Sequence, residues 1–262
     1  MHPLITLFGA ELSAYALFGG LAAAAAFLLA LPFLRRMGLS RWQAAVLPIL
    51  MAVGFLIGAR LWNVAVNPTV YPQVQTWYAL RFAGLSLYGG LLGAGLVLAV
   101  VPKLWKQSVW RAFDAMVVPG GAALCIARVG CFLAGCCGGR KTDSIFGLVF
   151  PSKEAARQTL QAILPFFPES YAVHPTQLYE LAGAALGLVL LPLLLRAAFR
   201  KRRPADGTFF LLFAAWFSAV RLAVLPLRAL TYADVIKTVI YPLIYLAAIL
   251  LGILLALWRN KD

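Results

Sequence analysis

The chain has 262 residues, of which 63% are hydrophobic and only 12% are charged. A soluble domain carries about 25% charged residues, so this composition excludes an ordinary soluble protein and predicts a polytopic membrane protein. The net charge of +14 does not indicate a nucleic-acid partner, because the basic residues sit in short clusters between apolar runs. Such clusters are typical of topology signals and of contacts with anionic lipid headgroups.

Seven apolar segments reach the length of about 20 residues that a spanning helix needs. They are 12–33, 43–66, 84–102, 113–135, 176–197, 207–229 and 237–257. Most basic residues follow the first, third, fifth and seventh spans, so the positive-inside rule places those connections in the cytoplasm. We predict an all-α seven-helix bundle forming a single transmembrane domain over 1–262, with its N-terminus outside and its C-terminus cytoplasmic.

The predicted outer side holds a long connection at about 138–175. Within it, the alternating run 143–152 predicts a strand or hairpin. Apolar residues at helical spacing in 153–164, followed by Pro165, predict a short interfacial helix. Aromatic residues in 62–82 predict a belt at headgroup level.

Four arginines fall in the outer half of the predicted spans: Arg60, Arg128, Arg221 and Arg228. A charged side chain at mid-helix costs about 2.5–3.5 kcal/mol on insertion scales, so it usually faces the protein interior and has a task there. Guanidinium groups donate paired hydrogen bonds to phosphate, which predicts an anion site for a phospholipid headgroup. The alternative is that each arginine pairs with a carboxylate or reaches towards the interface. The acids in or beside this region, Glu11 and Glu180, are too few to neutralise four arginines.

The sequence HPTQLYE, residues 174–180, begins the fifth predicted span. His174, Gln177 and Glu180 follow one another at intervals of three, so they share one helix face. This spacing predicts a polar face directed into the bundle from a helix end. An equally open interpretation is a capping arrangement in which Glu180 holds one arginine.

Three cysteines, Cys131, Cys136 and Cys137, lie at the end of the fourth predicted span. They could pack as small apolar residues, supply a thiolate activated by nearby Arg128, or form a disulfide or metal site. A metal is disfavoured because the GCC sequence lacks the C-x-x-C spacing and His174 is the only obvious nitrogen ligand. We therefore expect no metal and no cofactor.

Several motifs together resemble a known family, the bacterial prolipoprotein diacylglyceryl transferases, over nearly the whole chain. ARVGCFLAGCCGGR, residues 127–140, fits a family signature without gaps, and HPTQLYE is similar to its HPSQLYE motif. LSLYGGLLGAGL, VRLAVLPLR and the N-terminal HPLITLFGAELSAYALFG resemble further family segments. The resemblance implies transfer of the diacylglyceryl group of phosphatidylglycerol to the thiol of a lipobox cysteine, with glycerol phosphate leaving.

The resemblance also implies residue roles. Two family arginines fall on Arg128 and Arg221, and a third falls on Arg228. Other family groups are replaced, and the replacements here are Tyr88 for histidine, Cys131 for asparagine, Cys136 and Leu225 for glutamates, and Phe217 for tyrosine. Tyrosine titrates near pH 10, which makes Tyr88 a poor general base without activation.

We therefore expect a phospholipid-dependent membrane transferase in a bacterial plasma (inner) membrane, with its active site facing the outer leaflet. Its expected partners are an anionic phospholipid such as phosphatidylglycerol and a lipoprotein precursor. The expected catalytic residues are Arg128, Arg221, Tyr88, His174, Cys131 and Cys136, and the expected substrate-binding residues are Arg60, Gly89, Gly90, Gly139, Gln177, Glu180 and Arg228. The alternatives are a lipid carrier or scramblase without bond chemistry, and a thiol or redox membrane protein.

Overall fold

Long helices dominate the computed structural model, which describes residues 4–7, 10–66, 86–149, 172–200, 202–230 and 234–261. The helices are α1 (Ala14–Arg36), α2 (Arg41–Val66), α3 (Leu87–Leu104), α4 (Val109–Leu133), α5 (Thr176–Ala198), α6 (Thr208–Val224) and α7 (Tyr241–Arg259). A 3₁₀ turn at Leu225–Leu227 extends α6, and a π-helical turn at Ile236–Ile240 precedes α7. All seven segments are long and apolar enough to cross a membrane, which confirms the predicted seven-span, all-α fold.

Contacts divide the chain into two compact units. The first unit is Met1–Ala25 with Val117–Asp262, and the second unit is Ala26–Met116. The boundaries fall inside α1 and α4. The expectation of a single transmembrane domain stays a prediction.

The second unit has an apolar core formed by α2, α3 and the adjoining parts of α1 and α4. Leu34 and Leu47 are fully buried in it, and Leu98 is nearly so. The helix α2 begins with a capping box, since Ser40 and Gln43 each accept a hydrogen bond from the other's backbone N–H.

Close approach of two glycine pairs joins α2 to α3. Gly54 and Gly58 on α2 face Gly89 and Gly93 on α3, and a Cβ added at Gly93 would overlap the Gly54 carbonyl. Small residues spaced four apart allow this contact in membrane helices, where packing rather than hydrophobicity holds neighbours together.

In the first unit, α6 contacts both α5 and α7. Trp216 donates a hydrogen bond of 2.7 Å to the carbonyl oxygen of Gly183 on α5. A Cβ added at Gly252 of α7 would lie 2.8 Å from the carbonyl oxygen of Leu211 on α6. These contacts bring the C-terminal end of α6 beside the N-terminal turn of α5, where the candidate site lies.

Two small antiparallel sheets belong to the first unit. β1 (Leu4–Leu7) pairs with β2 (Ala10–Ser13), and β3 (Leu148–Val149) pairs with β4 (Ala172–Val173). The strand predicted in 143–152 is confirmed at β3. The first hairpin was not predicted, because its two four-residue strands lie just before and at the start of the first predicted span. The predicted interfacial helix in 153–164 and most of the aromatic segment 62–82 lie outside the described residues.

We predict that Gly93→Ala lowers the free energy of unfolding by about 1–3 kcal/mol, because the added methyl group overlaps the α2 backbone. Gly95→Ala in the same helix is the matched control, since a Cβ there meets no atom within 4 Å. Thermal unfolding in detergent measures both. Equal melting temperatures for the two variants would contradict the contact.

Candidate functional site

One carboxylate binds three arginines at the centre of the first unit. Glu180, in the first turns of α5, lies 2.6 Å from Arg128 of α4, 2.9 Å from Arg221 of α6 and 2.5 Å from Arg228 beyond α6. The Glu180 side chain is only 1% exposed. Three segments distant in sequence are therefore joined by one buried ionic cluster, which we call the Glu180 cluster.

Arg221 is the most constrained of the three arginines. Its Nη1 donates to both oxygens of Glu180, at 2.9 and 3.0 Å, and its Nε donates to the Tyr245 hydroxyl at 3.2 Å. The guanidinium carbon also lies 5.8 Å from the centre of the Tyr245 ring. Tyr245, on α7, is a site residue that the sequence analysis missed, because an aromatic residue in an apolar span carries no distinguishing signal.

The open interpretation in which Glu180 holds one arginine gave too small a number, since Glu180 holds three. The acids are still too few to neutralise the arginines, because a single carboxylate carries one negative charge and the three guanidinium groups carry three positive ones. Buried charges are costly unless paired, so such a cluster favours an additional anion.

The Arg128 side chain has unused hydrogen-bonding capacity. Its Nε is buried and has no hydrogen-bond partner among the described residues. The same holds for Oε1 of Gln177. One donor and one acceptor are therefore available to a ligand, and unpaired buried polar atoms of this kind call for an explanation.

The HPTQLYE segment holds the turn that follows α4. The Thr176 hydroxyl donates to the carbonyl oxygen of Cys137 at 2.8 Å, and Gln177 Nε2 donates to that of Cys136 at 2.5 Å. His174 lies before the helix, and its Nδ1 is 3.4 Å from the Tyr179 hydroxyl. The motif thus combines both earlier interpretations, since Thr176 and Gln177 fix a turn while Glu180 forms the ionic centre.

The turn after α4 gathers three thiols. The sulfur atoms of Cys131, Cys136 and Cys137 all lie within 4.8 Å of one another. Cys131 and Cys136 are buried, whereas Cys137 is exposed. Hydrogen bonds with the other two thiols, together with the positive charges of Arg128 and Arg228, lower the pKa of Cys137 well below its usual value.

Gly139 connects this turn to the end of α6. Its N–H donates to the His174 carbonyl oxygen at 2.8 Å, and the next residue's N–H donates to the Leu227 carbonyl oxygen at the same distance. An added Cβ would lie 2.5 Å from the Leu227 oxygen. Glycine is required here by close backbone packing, and a direct contact between Gly139 and a ligand stays a prediction.

A cavity of about 350 Å³ adjoins the Glu180 cluster within the first unit. Arg228 belongs to both, and Arg140 and Lys237 supply two further cations. The remaining lining is largely apolar and includes Leu222, Leu225, Pro226, Leu230 and Pro242. Arg140 and Lys237 were not predicted as site residues, because basic residues near span ends usually serve as topology signals.

The other predicted residues belong to the second unit. Arg60 is on α2, and Tyr88, Gly89 and Gly90 open α3. Gly89 contacts Gly58, and a Cβ at Gly90 would lie 2.4 Å from the Phe55 ring, so both glycines serve helix packing. Roles for these four residues in catalysis or substrate binding stay predictions.

Comparison with known proteins points to one family. The family model described as prolipoprotein diacylglyceryl transferase matches residues 3–258. The chain is 29% identical over 188 residues to phosphatidylglycerol–prolipoprotein diacylglyceryl transferase 2 of Clostridium perfringens, covering 71% of the chain and 69% of the relative. It is 31% identical over 199 residues to phosphatidylglycerol–prolipoprotein diacylglyceryl transferase of an Enterobacter species, covering 71% and 67%.

We predict that Glu180→Gln destabilises the protein by about 3–5 kcal/mol, because it leaves three buried guanidinium groups without their shared counter-charge. Asp234→Asn is the control, since that carboxylate is 91% exposed and solvent screens its ion pair with Lys237. Thermal unfolding in detergent distinguishes the two. A Glu180→Gln protein as stable as Asp234→Asn would show that the cluster does not hold the helices together.

Proposed function

Since the chain belongs to the prolipoprotein diacylglyceryl transferase family, we propose that it moves the diacylglyceryl group of phosphatidylglycerol to the thiol of a lipoprotein-precursor cysteine. The observation that carries this assignment is the Glu180 cluster, in which three arginines share one carboxylate. An excess of guanidinium charge at this depth suits the phosphate of an anionic phospholipid.

The cavity beside the cluster has the mixed chemistry that such a lipid needs. Its three cations, Arg140, Arg228 and Lys237, suit the headgroup, and its leucine and proline lining suits the glyceryl ester region. Arg228 connects the two parts, since it lines the cavity and contacts Glu180. The phosphate would therefore bind in the cavity where Arg228 can donate to it, with Arg128 and Arg221 on the Glu180 side of Arg228.

The reaction is a displacement at carbon. The acceptor thiolate attacks the glyceryl carbon that carries the phosphate, a C–S bond forms, and the C–O bond breaks. The electron pair leaves with the phosphate oxygen of glycerol phosphate. Guanidinium groups that donate to this oxygen stabilise the charge that grows on it, and removal of one such donor typically costs about 10²–10³ in rate.

A base must remove the thiol proton before attack. His174 is the candidate in the first unit, and the Tyr179 hydroxyl beside its Nδ1 orients the ring. Tyr88, at the position where the resemblance implies a histidine, belongs to the second unit, and its role as a base stays a prediction. Glu180 acts as a positioning residue, because it holds the arginines rather than the reacting atoms.

Arg128 and Arg221 lie near the C-terminal ends of α4 and α6, whereas Glu180 and Lys237 lie near the start of α5 and just before α7. Successive spans run in opposite directions, so these four residues lie on the same side of the membrane. The protein is a multi-pass membrane protein, and the distribution of basic residues supports placing these ends at the outer leaflet. We infer a bacterial plasma membrane, because the relatives come from bacteria and the chain has seven helices able to span a membrane.

We predict that purified protein converts phosphatidylglycerol and a lipobox peptide into lipidated peptide and glycerol phosphate, and that Arg221→Lys lowers kcat by about 10²-fold. Lysine keeps the charge but cannot hold both oxygens of Glu180 while donating to Tyr245. Arg202→Lys is the control, because Arg202 donates to the Asn260 carbonyl at the opposite ends of α6 and α7.

Two results would reject the assignment. One is the absence of both products with every anionic lipid supplied. The other is lipid flipping by reconstituted protein with no covalent product, which would identify a lipid carrier.

A separate experiment tests the thiol or redox alternative. Unchanged transfer after replacement of Cys131, Cys136 and Cys137 by serine would exclude a thiol or redox function.

We predict that Arg140→Ala raises the KM for phosphatidylglycerol by about tenfold or less and leaves kcat nearly unchanged. Arg140 is exposed in the cavity wall and attracts the headgroup before reaction, without belonging to the Glu180 cluster. Lys261→Ala, an exposed basic residue at the C-terminus, is the control. A fall in kcat with unchanged KM would place Arg140 at the leaving group instead.

A further inference from the structure

Three of the four cysteines meet where α4 ends. Their sequence pattern, C-x₄-C-C, differs from the usual C-x-x-C metal ligand spacing. The chain reverses direction between them, so Cys131 in the last turn of α4 lies beside Cys136 and Cys137 in the following turn. All three sulfur atoms lie within 4.8 Å of one another.

This spacing is close to what a metal requires. With a Zn–S bond of about 2.3 Å, sulfur atoms around a tetrahedral zinc ion are about 3.8 Å apart. The three sulfur atoms lie within 4.8 Å of one another, so small side-chain movements would bring them to the spacing that binds an ion. Thiolate sulfur is also the ligand type that selects zinc or copper(I) over hard cations.

We propose that Cys131, Cys136 and Cys137 form a three-thiolate site for a soft metal ion of the Zn²⁺ class. This site is separate from the Glu180 cluster in its ligands, although both lie in the first unit. The proposal departs from the expectation of no metal, which rested on the spacing of the cysteines in the sequence.

The backbone of the turn is fixed before any ion binds. Gly135 has a φ of 71°, and the N–H of Cys136 donates to the Cys131 carbonyl oxygen at 3.0 Å, as in a glycine-terminated helix end. Thr176 and Gln177 hold the carbonyl groups of Cys137 and Cys136. These hydrogen bonds fix the backbone that carries two of the three sulfur atoms.

Cys137 has an unfavourable backbone conformation for a residue with a side chain. Its φ is 61°, a value at which glycine is far more common. Packing of a small apolar side chain does not explain this conformation, because Cys137 is exposed. The left-handed conformation does bring its sulfur towards the two buried thiols, which is what metal binding requires.

The surrounding charge suits the loaded site. Three thiolates and a divalent ion carry one net negative charge, and Arg128 lies one helical turn before Cys131 on α4. Arg128 is 7% exposed, and its Nε is a buried donor with no partner among the described residues. A guanidinium N–H beside metal-bound thiolates would stabilise their charge.

The site would retain one open coordination position, because three sulfur ligands are what the described residues supply. Catalytic zinc sites have this arrangement, whereas structural sites are closed by four protein ligands. A thiol can occupy such a position, and the acceptor in the proposed reaction is a thiol. This last point rests on the proposed function, whereas metal binding itself does not.

The test is metal binding by the purified full-length protein in detergent. After removal of bound metal under reducing conditions, Zn²⁺ is titrated against a chromophoric chelator, and retained metal is counted by elemental mass spectrometry. We expect one ion per chain, and Cys131→Ser, Cys136→Ser and Cys137→Ser should each weaken binding by at least about tenfold. Cys125→Ser is the matched control, since its sulfur lies near the Leu181 carbonyl oxygen at 3.9 Å and outside the trio.

A measurement on unaltered protein covers the case in which a variant fails to fold. Co²⁺ should produce thiolate-to-metal charge-transfer absorption, and Zn²⁺ should protect all three cysteines of the trio from maleimide labelling as read by peptide mass. No retained metal, equal affinity in Cys136→Ser and Cys125→Ser, or labelling unaffected by Zn²⁺ would overturn the proposal. So would a disulfide within the trio in protein isolated without reductant. None of these results depends on transferase activity.

Discussion

The buried carboxylate of Glu180 is the constraint on which the rest of the first unit depends. One guanidinium group from α4 and two from α6 and the turn that extends it converge on it, and none could be buried at membrane depth without such a partner. The ion pairs join the helices to one another. Because one carboxylate offers a single negative charge against three positive ones, the cluster still favours a further anion. The ion pairs that hold the helices together are therefore the same ones to which we assign the anion site.

The transmembrane architecture was largely predictable, because hydropathy over about 20 residues reports directly on the cost of burying polar groups in lipid. The convergence of Arg128, Arg221 and Arg228 was also predictable, since isolated arginines in apolar spans have few acceptable environments. What the sequence could not reveal was the sharing of Glu180. The number of arginines that one carboxylate binds depends on helix packing, which a linear pattern does not encode.

The cysteine trio shows the same limit more clearly. Its assembly depends on the φ values of Gly135 and Cys137 and on two hydrogen bonds from the start of α5. None of these is visible in the spacing of Cys131, Cys136 and Cys137. The cavity cations Arg140 and Lys237 were missed for another reason, because basic residues at span ends have a sufficient explanation in topology alone.

The central claim is that the Glu180 cluster binds the phosphate of the lipid donor. An experimental structure with phosphatidylglycerol bound tests it most directly. The account predicts phosphate oxygens within about 2.7–2.9 Å of guanidinium nitrogens of Arg228 and at least one of Arg128 and Arg221. A lipid phosphate bound elsewhere, with all three arginines directed only at Glu180, would contradict it.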